Sequence, residues 1–182
     1  LAKLYVQAQQ FAQAPPLLKQ QLACRPIPEA SVLLAQLASN PDQATVLYQT
    51  ATERWPQSAT VWAAYAQWEL NQGRLATAKK AVDRALQLNK NHPDTRFLQA
   101  QLALYNGQPE QSLQGLNTLT QQYPNNPEYQ RQRLLVLVQT GQYNQALPAI
   151  QAHLKRYPQE RATWEPLLQQ INQALKQRKG RF

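Results

Sequence analysis

Two histidines, one cysteine and ten carboxylates are the side chains of this 182-residue sequence best suited to catalysis or metal binding. General acid–base chemistry needs a histidine or carboxylate held beside a partner, and thiol chemistry needs a cysteine beside a base. His92 and His153 are far apart in sequence, and no Asp or Glu is grouped with either. No Cys–His spacing, no His-Glu-x-x-His run and no glycine-rich phosphate loop is present. Metal binding fails on the same ground, because no two good ligands lie close together. The sequence therefore predicts a non-enzymatic chain with no cofactor, in which each histidine is structural or solvent-exposed. The lone Cys24 excludes an internal disulfide and reads as a small apolar filler on a buried helix face.

Aromatic residues offer a second chemistry, stacking on nucleic-acid bases, and their spacing argues against it. Trp62 and Trp164 are separated by 102 residues, three steps of 34. Gly73, Gly107 and Gly141 stand 34 apart, as do Ala78, Ser112 and Ala146, and Pro124 and Pro158. A fixed period of this size is one supersecondary unit copied along the chain, which stacks on its neighbours to bury its apolar face. Trp62 and Trp164 are then core residues. Trp55, Tyr123 and Tyr157 each precede a proline that closes a unit, and read as plugs between units. Trp68 has no counterpart, since Leu102 and Val136 stand at its position.

The elements that position these residues are amphipathic helices in pairs. Val61–Leu70 has bulky residues at helical spacing, Gly73 ends that run, and Leu75–Leu86 is helical again with alanines at 78, 81 and 85. This is an αα-hairpin with a short turn. Pro93–Asn126 and Pro127–Glu160 repeat it. Ile27–Pro56 is about one helical turn short, with Asn40 as N-cap and Pro41 as first helical residue in place of the glycine turn. Leu1–Ala8 and Phe11–Cys24 read as a further hairpin, and Arg161–Arg178 as a closing helix. Pro16, Pro93, Pro109, Pro127, Pro148 and Pro166 are expected at or near helix starts, where a missing N–H costs little.

Trp62, Tyr65-Ala66, Gly73, Ala78 and Ala85 resemble the tetratricopeptide repeat family in type, order and spacing. Ala100, Gly107, Ser112, Leu116 and Pro124 continue the pattern, as do Leu134, Gly141, Tyr143, Ala146 and Pro158, although Arg96 and Gln130 replace the opening aromatic. The resemblance implies an all-α fold in one domain, 1–182. It would be a right-handed α-solenoid of about five hairpins, at approximately 1–26, 27–56, 59–92, 93–126 and 127–160, with a capping helix at 161–178. It also implies a protein-interaction scaffold that binds a protein or peptide segment in a concave groove lined by first helices, with no small-molecule substrate. Gln67, Leu70, Asn71, Phe97, Gln101, Leu104, Tyr105, Arg131, Leu135 and Val138 are the groove residues so implied, with Phe97, Leu104 and Tyr105 exposed. The family's clamp for a terminal carboxylate is not expected, because Ala63, Gln67, Phe97 and Gln101 occupy its basic and amide positions.

The formal charge of +9 is concentrated late in the chain, where Lys155, Arg156, Arg161, Lys176, Arg178 and Lys179 form a candidate basic patch. Such an excess attracts acidic protein segments, nucleic acid or an anionic membrane surface. Trp62 to Glu69, with Ala78-Lys79 and Arg84-Ala85-Leu86, also resembles a half-a-TPR repeat. That resemblance implies the alternative of an RNA-processing or anionic-surface scaffold working through the basic end. No apolar run reaches the roughly 18–20 residues of a membrane span. A start at Leu1, no methionine, one cysteine, a glutamine bias and a closing helix near Arg178 point to the C-terminal part of a larger bacterial protein. The tetratricopeptide resemblance implies an assembly factor, in the cell envelope rather than the cytoplasm.

Overall fold

Prolines and glycines punctuate this chain into helices. The computed structural model describes residues 14–24 and 27–179, apart from the side chains of Gln21, Arg178 and Lys179. The helix expected at Leu1–Ala8, the start of the one expected at Phe11, and Pro26 lie outside the described residues. The helices are α1 (Ala14–Cys24), α2 (Pro28–Gln36), α3 (Pro41–Arg54), α4 (Ala59–Asn71) and α5 (Leu75–Leu88). They continue with α6 (Pro93–Tyr105), α7 (Pro109–Gln122), α8 (Pro127–Gln139), α9 (Tyr143–Arg156), a 3-10 turn at Pro158–Glu160, and α10 (Arg161–Lys179). No strand occurs among the described residues, and the fold is all-α.

Local chemistry explains where these helices begin. Pro28, Pro41, Pro109 and Pro127 take the first helical position, whose N–H has no partner within the helix. Asn40 Oδ1 accepts from the Gln43 N–H at 2.8 Å, and Asn126 Oδ1 accepts from the Glu128 and Tyr129 N–H groups at 3.0 and 3.3 Å. His92 Nδ1 accepts from the Thr95 N–H at 3.4 Å, so this histidine caps α6. Pro148 and Pro166 depart from expectation and sit inside α9 and α10. Helix α9 starts at Tyr143, directly after the glycine turn, so Pro148 falls beyond the first turn. The 3-10 turn feeds straight into α10 at Arg161 and does the same to Pro166.

Helices α4, α6 and α8 end on the same backbone motif. Gly73 has φ 73°, its N–H bonds the Leu70 carbonyl at 3.0 Å, and the Arg74 N–H bonds the Glu69 carbonyl at 2.9 Å. Gly107 with Gln108, and Gly141 with Gln142, repeat both bonds at the same lengths. Left-handed φ is strained for a residue with a Cβ, so glycine is required here. Helix α2 has nine residues where α4, α6 and α8 have thirteen, which is one turn less.

The chain forms two compact units, Leu1–Gln99 and Ala100–Phe182. In the first, α1 packs on α2, α2 on α3 and α4, α3 on α4, and α4 on α5. Leu18, Ala30 and Leu34 form one buried cluster, while Val61, Ala66, Ala78 and Ala85 are completely enclosed. Trp68 pins α4 to α3: its ring stacks on Tyr48 at 5.7 Å and its Nε1 donates to Thr45 Oγ1 at 3.0 Å. Cys24 is exposed, not buried, because the last residue of α1 falls off that helix's apolar face.

In the second unit α7 packs on α8, α8 on α9, and α9 on α10, around Leu116, Leu134, Val136, Ile150, Trp164 and Ile171. Gly115 marks a close approach, since a Cβ there would stand 3.3 Å from the Ala100 Cβ. Trp164 is fully buried, but Trp62 is only half-buried, and its Nε1 donates to the Pro56 carbonyl at 3.0 Å. Two repeats later (62 + 68, 56 + 68) Gln130 Nε2 donates to the Pro124 carbonyl. The closing carbonyl keeps a donor although the donor's chemistry changes.

Candidate functional site

Gln67 and Asn71 stand one turn apart on α4, where an amide at each position can bridge along the helix. Gln67 Nε2 donates to Asn71 Oδ1 at 2.9 Å. An amide pair tied this way keeps one carbonyl and one NH2 group for an outside partner. Both residues line a cavity of about 490 Å³ in the first unit, with walls from Val32 and Gln36 of α2, Ala63 of α4, and Leu98 of α6. Tyr48 also lines it, and burial pushes the Tyr48 hydroxyl up to about 12.

Leu70 and Phe97, expected in a groove, are 6 and 8 % exposed and belong to the core. The reason is energetic, because enclosing a large apolar side chain gains more than presenting it to water. In the second unit Tyr105 is 64 % and Leu135 40 % exposed, with Leu104 and Val138 half-buried. Gln101 Oε1 and Arg131 Nε are buried without a hydrogen-bond partner. Arg131 otherwise pairs through Nη2 with Glu128 at 3.1 Å, and its Nε stands 4.0 Å from Glu160 Oε2. A buried polar atom without a hydrogen bond costs about 1–3 kcal/mol, and for Arg131 the nearby Glu160 carboxylate offsets part of it.

Lys155, Arg156, Arg161 and Lys176 are all exposed. Arg161 and Lys176 lie at opposite parts of α10, about 22 Å apart along its axis. The side chains of Arg178 and Lys179 lie outside the described ones. The basic end is thus a strip of separated charges, except where Arg156 turns back to the Pro124 carbonyl at 3.2 Å and to Asn125 Oδ1.

Two polar clusters fall outside the sequence reading. Glu69 is almost fully buried and holds Arg74 in a fork, at 2.6 Å to Nε and 2.7 Å to Nη2. Its signal is an acid at the position occupied by Ala103 and Leu137 in later repeats, with Arg74 just past the turn. His153 is the second, and it corrects the expectation of a histidine with no acid near it. Its Nε2 stands 2.9 Å from Glu160 Oε2 and its Nδ1 3.1 Å from Gln130 Oε1. The hydrogen bond from His153 is the main reason the Glu160 carboxyl lies below its ordinary range, helped by the Trp164 N–H and the charge of Arg131 against desolvation. Both ring nitrogens are engaged by polar partners within the fold, a structural arrangement. Among the described residues no group of three His, Cys, Asp or Glu side chains could hold a metal, and no helix is long and apolar enough to cross a membrane.

Family models described as tetratricopeptide repeats match residues 33–94 and 69–134, together more than half of the 182 residues. No curated protein matches the chain in sequence. Among solved structures, a thermophilic TPR protein of Thermus thermophilus is 17% identical, with TM-score 0.70 and coverage of 96% of this chain and 95% of that one. The pilF protein of Pseudomonas aeruginosa is 19% identical, with TM-score 0.71 over 97% of this chain and 88% of that one. YrrB, described as a TPR protein with an unusual peptide-binding site, is 16% identical, with TM-score 0.65 over 87% and 84%. At these identities the likeness is one of fold, and the fold is that of TPR solenoid proteins. A glycine-closed helical hairpin repeated every 34 residues, and matched by family models from residue 33 to residue 134, places this chain in the tetratricopeptide repeat family as a protein–protein interaction scaffold.

Proposed function

We propose that the scaffold binds an extended segment of a partner protein along the faces of its first helices, gripping main-chain amides as well as side chains. The carrying observation is the cavity of about 490 Å³ with the Gln67–Asn71 amide pair on its wall. An extended peptide presents the alternating N–H and C=O groups that such a pair can satisfy. In the second unit, the exposed side chains of Tyr105 and Leu135 support the same reading. The setting is part of the proposal: an assembly-factor module of a larger bacterial protein of the cell envelope. Fractionation of the tagged full-length product tests it, and an exclusively cytosolic pool overturns it.

Selection of peptides from a displayed random library tests the binding site. Peptides enriched on the parent should bind roughly tenfold more weakly to Gln67→Ala/Asn71→Ala and to Tyr105→Ala, as loss of central contacts does. Lys79→Ala, on the exposed side of α5, should change affinity by less than about twofold. Unchanged affinity in both groove variants overturns the assignment.

A further inference from the structure

Register with the repeat exposes a departure in the second unit. The hairpin at 59–92 carries Trp62, Tyr65, Ala85, Leu86 and Leu88, all buried or half-buried. One repeat on, Leu86 becomes Thr120 (86 + 34). Two repeats on, Trp62, Tyr65, Ala85 and Leu88 become Gln130, Arg133, His153 and Arg156 (each + 68). All five positions have turned polar, and they line one cavity of about 320 Å³, completed by Leu134 and the small residues Ala149 and Ala152. Two of these positions have exchanged an indole and a phenol for a carboxamide and a guanidinium.

No carboxylate lines this cavity. Arg133 Nε donates to Asn117 Oδ1, and Arg156 donates to the Pro124 carbonyl and to Asn125 Oδ1, so both guanidiniums are oriented by neutral acceptors. Neither has an ion-pair partner among the described residues. Arg133 is half-buried, and desolvation holds its guanidinium below the ordinary value. A cation partly removed from water without a counter-charge is costly, and a bound anion removes that cost. His153 differs, because Glu160, which does not line the cavity, already takes its Nε2.

We propose that this cavity is a carboxylate-binding pocket that takes an aspartate or glutamate side chain from an acidic segment of a partner protein, with Arg133 and Arg156 as its charged donors. Each guanidinium keeps N–H groups beyond those already bonded, in the planar fork that matches a carboxylate. Phosphate sites recruit free backbone N–H groups at helix starts or nests. Here Gln130, Arg133, Leu134, Ala149 and Ala152 lie within helices, whose N–H groups are already used. The net charge of +9 draws acidic segments toward the molecule, and the two forks give one place to seat them. This site is separate from the amide face of Gln67 and Asn71 and does not depend on it.

Binding of a capped, fluorescently labelled hexaglutamate peptide at low ionic strength tests the pocket, with inorganic phosphate as a second ligand. Arg133→Gln and Arg156→Gln should each weaken the peptide roughly tenfold. Lys90→Gln, on the exposed turn after α5, should leave it within about twofold. An unaltered circular-dichroism melt for Arg133→Gln is expected, which separates loss of binding from loss of fold. Three results overturn the proposal: no peptide binding to the parent, equal weakening by Lys90→Gln, or capture of phosphate without the peptide.

Discussion

Glu69 and Arg74 form an unequal pair, and the inequality predicts how each responds to removal. The Glu69 side chain is 2 % exposed and that of Arg74 is 43 %. Truncating the arginine strands a buried carboxylate, at a cost of about 3 kcal/mol. Replacing the acid by leucine instead leaves an arginine that water can reach, and restores the residue type that Leu137 shows at the same repeat position. Urea unfolding should therefore find Arg74→Ala strongly destabilised and Glu69→Leu within about 1 kcal/mol of the parent. Glu160 adds a pH dependence with a definite sign. Its folded carboxyl titrates below the ordinary carboxylate value, so its contribution is complete above about pH 4.3 and is lost as pH falls through the folded value. The melting temperature of the parent should drop more steeply below that pH than that of Glu160→Gln, and parallel curves would remove this residue from the account.

At the scale of the helix, what was legible in the sequence is what local chemistry controls. Asn40 and Asn126 cap as expected, and the missing turn of α2 is visible in the spacing of the prolines. Gly107 sits at φ 70°, and a Cβ added there would meet nothing within 4 Å, so its requirement is conformational alone. Gly107→Ala should lower stability by about 1 kcal/mol in urea unfolding, and no loss would show that the turn relaxes. Facing was less legible than position. Phe97 and Leu70 lie on the first-helix side by count, yet packing draws them inward, and Cys24 lies beyond the apolar stripe of its helix. The His153–Glu160 contact spans the 3-10 turn between α9 and α10, a reversal that no helical period encodes.

For the whole molecule, repeat architecture makes stability a sum of neighbour contacts, so it need not be uniform. Helices α4 and α5 enclose Val61, Ala66, Ala78 and Ala85 completely, whereas α10 is exposed over most of its length after Ile171. Native-state hydrogen exchange should find the amides beyond Ile171 opening first and those of α4 and α5 among the slowest. A single exchange free energy throughout would instead indicate one cooperative unit. The three glycine turns carry a consequence for how such a chain diverges. Each closes through backbone bonds alone, so a duplicated hairpin inherits a turn that tolerates any side chain but proline after its glycine. Arg74, Gln108 and Gln142 occupy that tolerant place, and of these three only Arg74 has been recruited inward, to Glu69. Copies of one ancestral hairpin can thus acquire individual character at their corners while the joint itself stays the same.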